Sequence, residues 1–549
     1  MKIKKVMMIG IDGGTFAVIS PLIKKGKLPN FAKLINNGAW GDLRSSVPPV
    51  TPPAWVSFMT GQCPGKHGIY NFTSHTFDLT REFDRNLVTS KSVKTQTLWH
   101  ILGDQGNKML LVNIPITYPA FQINGIMISG LLAPDESSDF IYPENLKQEI
   151  VGMGYKVDKT PNIHDVIKDR KLWLERFFDI EERRHKVTLQ LLRKHPWEVF
   201  MVVYSVTDRI SHLFWHEQHV QGIDEGFAAA VERAYIRVDE MIGELLKFTE
   251  KDTLVYVMSD HGFGPTEKSI SMNKWLYDEG FLRLRKPECF SFLRRLKLHK
   301  KMVPVERILR RFGIGSLSRI MPQKINTFNI PVLRVTNKSP FYLVDWHNTV
   351  AYAHNWGIYI NQKGRENLGI IDSSDYHDVR EKIITRLKEL RDPVSGEKII
   401  DEIFLNEKIY QGPLSKYGPD LMYSFKDFLY IQNNTFNFKQ LFAPKKEGNH
   451  RMEGIFIVSG EVIKKGINIR GAEIVDIAPT LLHSLGYPIP NEMDGKVLID
   501  IFDDMFSKDN SPKYDKAGER YQAEVESDAF SDEEQQKIME GLRGLGYLD

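Results

Sequence analysis

Cysteine is nearly absent: Cys63 and Cys289 are the only two in 549 residues. Two thiols exclude a disulfide framework and a thiolate zinc site, and they point to a reducing compartment. An excess of one charge is lacking too, since 73 Lys and Arg against 70 Asp and Glu leave a net charge of +3. Composition therefore gives no warrant for specific nucleic-acid binding. No apolar run approaches the roughly 18 residues that a bilayer span needs. The basic start MKIKK leads into an apolar run, Val6 to Ile11, that is shorter than the core of a secretory leader and stops at Asp12. It reads as a first buried strand, and the chain as a cytoplasmic protein. Internal repeats and low-complexity tracts are also missing.

A hydrophobic fraction of 42% and a charged fraction of 26% belong to a globular chain with a sizeable core. Three apolar runs, KKVMMIGID, EVFMVVYSVTD and TLVYVMSDHG, end abruptly in ligand-type residues. Such runs lack alternation because both faces are covered, as in strands of a parallel sheet. Helical patterns at Leu172 to Leu192 and Phe227 to Phe248 separate them, which predicts an open α/β sheet. Sites in these sheets form beyond the carboxyl ends of the strands, where Asp12, Asp208 and Asp260 stand.

Between His261 and His450 the texture changes. A basic stretch from Phe281 to about Lys324 is followed by strand-like TVAYAHNWGIYINQKGREN and an amphipathic helix around His377 to Leu390. These predict an insertion covering the active edge. GIFIVSG and the helix DIAPTLLHSLG return to the core. The expected division is 1–265 for the first part of the core, 266–440 for the insertion or cap, 441–506 for the rest of the core, and 507–549 for a polar tail ending in a short helix from Glu533 to Leu545. Helical amphipathicity accounts for the basic stretch as a solvated face; its sharper reading is attraction of an anionic substrate or peripheral contact with a membrane surface.

Six metal-ligand-type side chains stand in four segments: Asp12, then Asp208 and His212, then Asp260 and His261, then His450 in EGNHRMEGIF. Asp208 and His212 are four residues apart, so a helix over Ser205 to Trp215 projects both toward one ion. His216 competes one turn on, but His212 shares the strand end with Asp208. Asp260 and His261 are neighbours, which can converge only where a strand kinks into a loop. Carboxylate with imidazole and no thiolate suits zinc, manganese or iron. Thr51 in VPPVTPPAW adds a hydroxyl nucleophile, although a Thr before Pro52 and Pro53 also reads as the cap of the following helix. Together these residues point to chemistry on a phosphate ester.

The segments IGIDGGT, VTPPAWVSFMTGQCPGKHGIYNF, TDRISH, MSDHGFG, GNHRMEGIFIVSG and DIAPTLLHSLGYPIPNEMDGKVL, in this order, resemble the alkaline phosphatase superfamily, specifically its type I phosphodiesterase and nucleotide pyrophosphatase branch. The resemblance implies a three-layer α/β/α sandwich with a mostly parallel central sheet and an inserted cap. It implies two divalent metal ions, zinc first and manganese second. One would be held by Asp208, His212 and His450, the other by Asp12, Asp260, His261 and the Thr51 oxygen. Thr51 would form a phosphoenzyme on a small phosphate ester such as a nucleotide. Nucleotide pyrophosphatases of the branch hold phosphoryl oxygens with an Asn; here HGIYNF places Phe72 at that position and Asn71 just before it, so Asn71 is the candidate. His67 and Gly68 serve the turn.

Competing expectations on the same fold are a phosphomonoesterase and a phosphotransferase of the phosphoglycerate mutase kind. A sulfatase would need Cys or Ser at Thr51 and Arg at Trp55. From a different class comes a non-catalytic polyanion-binding protein docking through Arg294 to Arg311. SGLLAPDESS, near residues 129–138, reads as a loop after a strand that could line the site.

Overall fold

In the computed structural model, which describes residues 3–75, 77–79, 86–157, 166, 168–285, 340–354, 356–433, 440–515 and 530–544, the three apolar runs are neighbouring parallel strands. They are β1 (Lys5–Ile11), followed along the chain by β2 (Gly38–Arg44), β3 (Met109–Ile114), β4 (Gly125–Ser129), β5 (Ile141–Tyr142), β6 (Val199–Tyr204) and β7 (Thr253–Met258). β1 lies between β6 and β7, parallel to both, and β3 and β4 continue the parallel set beyond β6. Every residue of β6 and β7 is buried, which is why these segments show no polar alternation. The register pairs Ile11 with Tyr204 and Gly10 with Met258, so the three strands end level. Their following residues emerge along one edge.

One set of helices packs together around Ala230–Leu245: Phe16–Lys24, Pro29–Asn36, Arg170–Lys194 and Val206–Phe214. A second set gathers on Thr51–Thr60 with Leu98–Asp104 and Ile477–Leu485. With the sheet between them they form the expected three-layer α/β/α sandwich. The helix expected over Phe227 to Phe248 is divided into Glu225–Ala228, Ala230–Leu245 and a 3-10 turn at Leu246–Phe248.

After β7 the chain leaves the sheet through β8 (Gly262–Ser271), β9 (Ala351–His354), β10 (Gly357–Ile360), β11 (Ile400–Leu405), β12 (Leu421–Phe425), β13 (Tyr430–Asn433) and β14 (Phe442–Arg451). β9 and β10 form a hairpin within a small antiparallel sheet ordered β11-β12-β10-β9. Helix Tyr376–Lys388 packs its Ile383 and Leu387 into the core of this sheet. β8 is flanked by β13 and β14 in a third sheet. The chain returns as β15 (Glu453–Ser459), which runs antiparallel between β7 and β2, while β16 (Ile467–Asn468) and β17 (Ala472–Glu473) finish the β2 edge. Among the described residues ten strands make up the central sheet.

A short helix spans the expected boundary at Ser507. Helix Asp504–Asp509 runs through it, capped by Asp503, whose carboxylate accepts from the Phe506 N–H at 2.7 Å, and Phe506 stacks on Phe502. The closing helix spans Asp532–Gly544. Beyond Arg285, the basic stretch lies outside the described residues. Among the described residues no helix is long and apolar enough to cross a membrane.

Candidate active site

The level strand ends deliver Asp12, Asp208 and Asp260 to one buried spot. Helix Val206–Phe214 carries Asp208 in its first turn and His212 one turn on, and His212 Nε2 lies 3.4 Å from Asp208 Oδ1. His450 arrives from β14, with Nε2 3.0 Å from His212 Nε2 and 3.4 Å from Asp208 Oδ1. Beside this triangle, His261 Nε2 stands 3.3 Å from Asp260 Oδ2, 3.6 Å from Asp12 Oδ1 and 3.4 Å from Thr51 Oγ1. The His261 and His450 rings stack at 3.6 Å and join the two groups. Asp208, His261 and His450 also present ligand atoms within 4.8 Å of one another.

Backbone carbonyls set the tautomers. His450 Nδ1 lies 2.8 Å from the Pro49 carbonyl and His261 Nδ1 3.1 Å from that of Gly262. A carbonyl only accepts, so each Nδ1 carries the proton and each Nε2 turns a lone pair toward the cluster. Asp12 Oδ1 and Asp260 Oδ2 are buried without a hydrogen-bond partner. Ligand atoms about 2.0–2.2 Å from a shared ion stand roughly 3.3–3.6 Å apart in a tetrahedral site. The observed separations, the inward lone pairs and the two orphaned carboxylate oxygens all fit divalent cations.

Close backbone approaches make this convergence. Gly13, at φ +68, sits where a side chain would press on Phe263 and the Asp208 backbone. A Cβ on Gly448 would lie 2.2 Å from the Ser211 carbonyl oxygen, so glycine lets β14 lie on the Asp208 helix and brings His450 to His212. Gly448→Ala is expected to lift β14 and weaken zinc affinity about 10- to 100-fold, the range seen when support of a ligand is lost. Calorimetric zinc titration checks this, and an unchanged affinity would refute the role given to Gly448. Glu181 supports the same helix from below. Its Oε2 accepts from the Ser205 and Val206 N–H groups at 2.9 and 2.8 Å, and buried Arg184 pairs with it.

Thr51 is fully buried and is the first residue of helix Thr51–Thr60, not its cap; the cap is Val50, without a side-chain bond. The capping reading is thereby corrected, and the hydroxyl is left facing His261. Pro52 and Pro53 carry no N–H, and that of Ala54 bonds the Val50 carbonyl at 3.1 Å. The Thr51 N–H is the donor that this first turn can offer an anion.

The cluster's charges confirm how crowded it is. Burial, then the Asp260 and Asp208 charges, push the Asp12 carboxyl well above the usual carboxylate range; burial and Asp208 do the same to Asp260. Burial and the neighbouring His450 hold the His261 imidazole well below its ordinary value. Asp208 moves the opposite way: burial raises it, but the His212 and His450 imidazoles outweigh burial and hold it low. Paired cations would relieve the strain among these groups.

A family model described as "Type I phosphodiesterase / nucleotide pyrophosphatase" matches residues 6–454. The chain belongs to that family. It is a phosphoric ester hydrolase, on an alkaline-phosphatase-like fold. No curated protein matches it in sequence. Among solved structures, phosphonoacetate hydrolase from Sinorhizobium meliloti 1021 in complex with phosphonoformate superposes with a TM-score of 0.54 at 15% identity, covering 87% of this chain and 94% of that one. A mutant of alkaline phosphatase PafA gives 0.52 at 14% identity, covering 92% and 99%. At such identities these likenesses speak for the fold.

The segment that carries an Asn in nucleotide pyrophosphatases of the family is anchored to the Thr51 helix here. His67 Nε2 lies 3.0 Å from Ser57 Oγ, and its Nδ1 accepts from the Ile69 N–H at 3.1 Å. Asn71 is buried, with Oδ1 accepting from the Phe72 N–H at 2.8 Å, a bond within its own loop. Burial lowers the His67 pKa to about 3 from 6.5. Below pH 6.5 the unfolded chain therefore binds a proton that the fold refuses, and stability falls as the pH drops toward 3. His67→Gln is expected to flatten the acid side of the stability curve by ~1 kcal/mol per pH unit. Urea unfolding at pH 7, 6 and 5 measures it, and equal slopes would contradict it.

Proposed function

We propose that the protein hydrolyses a small phosphate ester through a phosphorylated Thr51. The observation that carries this is the Thr51 hydroxyl, buried and 3.4 Å from His261 Nε2 at the junction of two carboxylate-imidazole groups. Asp208, His212 and His450 would hold one divalent cation, and Asp12, Asp260, His261 and Thr51 a second, zinc or manganese. Bound there, such ions lower the pKa of a coordinated hydroxyl and neutralise phosphoryl charge. Thr51 Oγ1 attacks phosphorus in line with the leaving oxygen, the ester bond breaks, and water then cleaves the phosphoryl group from Thr51, as phosphate from a monoester or as a monoester from a diester. The Thr51 N–H at the helix start and the Asn71 amide would steady the phosphoryl oxygens. Residues 266–440, with a hydrophobic core of their own, would act as the cap that selects the ester.

The test is hydrolysis of bis-p-nitrophenyl phosphate and p-nitrophenyl phosphate by protein with zinc or manganese shown by elemental analysis to be bound. Turnover of at least one ester is expected. A metal-loaded protein that cleaves neither would remove this reading.

A further inference from the structure

The loop that delivers Thr51 reads SVPPVT, and two of its residues cannot donate a backbone hydrogen bond. Pro48 and Pro49 carry no N–H, which leaves the carbonyls of this stretch to anchor it. Each carbonyl has a partner. That of Pro48 accepts from Ser46 Oγ at 2.8 Å and from the Val50 N–H at 2.9 Å, and that of Val50 accepts from the Ala54 N–H at 3.1 Å. These bonds stay within the loop and its helix. The Pro49 carbonyl faces His450 Nδ1 at 2.8 Å, which ties the loop to the carboxylate-imidazole cluster. The Val47 carbonyl reaches further, accepting from the Tyr410 hydroxyl at 2.6 Å across 363 residues of sequence.

Tyr410 follows the short helix Asn406–Ile409 between β11 and β12, and its own N–H bonds the Asn406 carbonyl at 2.8 Å. Its ring meets that of Tyr70 edge to face, with centroids 5.0 Å apart at 87°. The two tyrosines and Met422 form a small buried cluster of their own, against which Val47 packs. The chain beyond Tyr410 lies flush on the segment that follows the Thr51 helix. The Leu414 N–H bonds the Gly65 carbonyl at 2.9 Å, and a Cβ on Gly65 would lie 2.5 Å from the Gln411 carbonyl oxygen. One stretch, Tyr410 to Leu414, thus grips the chain on both sides of that helix.

The Tyr410 side chain is buried, and burial pushes its phenol well above the usual range, so it stays a donor at working pH. Its single proton goes to the Val47 carbonyl and not to Met422 Sδ at 2.7 Å, because a thioether is the weaker acceptor. A phenylalanine would fill the same space, so the hydroxyl is there for the loop. Alignment of a nucleophile is sensitive to such support: a misplacement of ~1 Å can cost on the order of 100-fold in rate.

Resting on the phosphorylated-Thr51 reading above, we infer that Tyr410 is a positioning residue for the nucleophile. Its hydroxyl fixes the Val47 carbonyl as His450 fixes that of Pro49, and the loop held at these two points sets where Thr51 Oγ1 stands. The region that would select the ester then also aligns the attack on it.

The experiment compares metal-loaded wild type, Tyr410→Phe, Gly65→Ala and Met422→Leu on whichever of p-nitrophenyl phosphate and bis-p-nitrophenyl phosphate the wild type cleaves. Single turnovers with enzyme in excess read the attack step through release of p-nitrophenol, and calorimetry reads zinc and inorganic phosphate affinity. Tyr410→Phe is expected to slow release by about 10- to 100-fold while both affinities stay at wild-type values. Gly65→Ala, which pushes Gln411 and with it Tyr410 off the loop, should follow the same pattern, and Met422→Leu should match wild type. Release from Tyr410→Phe at the wild-type rate, or a slowing matched by equal losses of zinc or phosphate affinity, would overturn the role. If Tyr410→Phe does not fold, Gly65→Ala decides by the same comparison. Wild type that cleaves neither ester, or Thr51→Ala that cleaves as fast as wild type, would instead defeat the phosphorylated-Thr51 reading.

Discussion

Thr51→Ala is expected to lower turnover of phosphate esters by on the order of 10^4-fold or more, the scale seen when a nucleophile is removed. Metal content and thermal midpoint should stay near wild type. The hydroxyl does not cap its helix, so its loss takes no backbone bond away. Burial of Thr51 also leaves little room for water to replace the hydroxyl as attacking group. Thr51→Ser keeps the oxygen and should retain measurable turnover with phosphoserine trapped by acid quench. If Thr51→Ala kept a tenth of the activity with its metals bound, Thr51 would be a support for the site and not its nucleophile.

Stripping the cations with a chelator should abolish activity and lower the thermal midpoint, and zinc or manganese should restore both. Tight ligands that bind only the folded state stabilise it by ~4 kcal/mol at a thousandfold excess over Kd. The metal-free cluster is also poorly satisfied, since Asp12 and Asp260 ionise against burial and against neighbouring carboxylates. Asp260→Asn separates the two effects. Metal-free Asp260→Asn should melt at or above chelated wild type because a buried like charge is gone, yet gain little when zinc is added. Thermal melts of four samples, each protein with and without zinc, measure this. A full zinc-dependent gain in Asp260→Asn would take that residue out of the metal site.

Much of the fold was legible because burial on both faces leaves a local mark. The runs ending at Asp12, Asp208 and Asp260 are uninterrupted apolar stretches, and the four-residue spacing of Asp208 and His212 is a helical period. What could not be read joins residues distant in sequence. Glu181 holds the helix start at Val206, Pro49 fixes the His450 tautomer, and Gly448 makes room for Ser211; no pattern of neighbouring residues encodes these contacts. Thr51 shows the remaining error, because a one-position difference separates a cap from a first helical residue.

β15 has a consequence for synthesis. It is the strand that joins β2 to β7, and nearly 200 residues separate it from β7 in the chain. A ribosome adding roughly 5–20 residues per second takes about ten to forty seconds to cross that interval. Throughout it, β7 has been made and its partner has not, so the nascent chain offers an open edge to other chains. His450, three residues before the start of β15, emerges at the same late moment. Assembly of the carboxylate-imidazole cluster and closure of the sheet thus become a single terminal event, and chains cut short before His450 would lack both and be prone to aggregate.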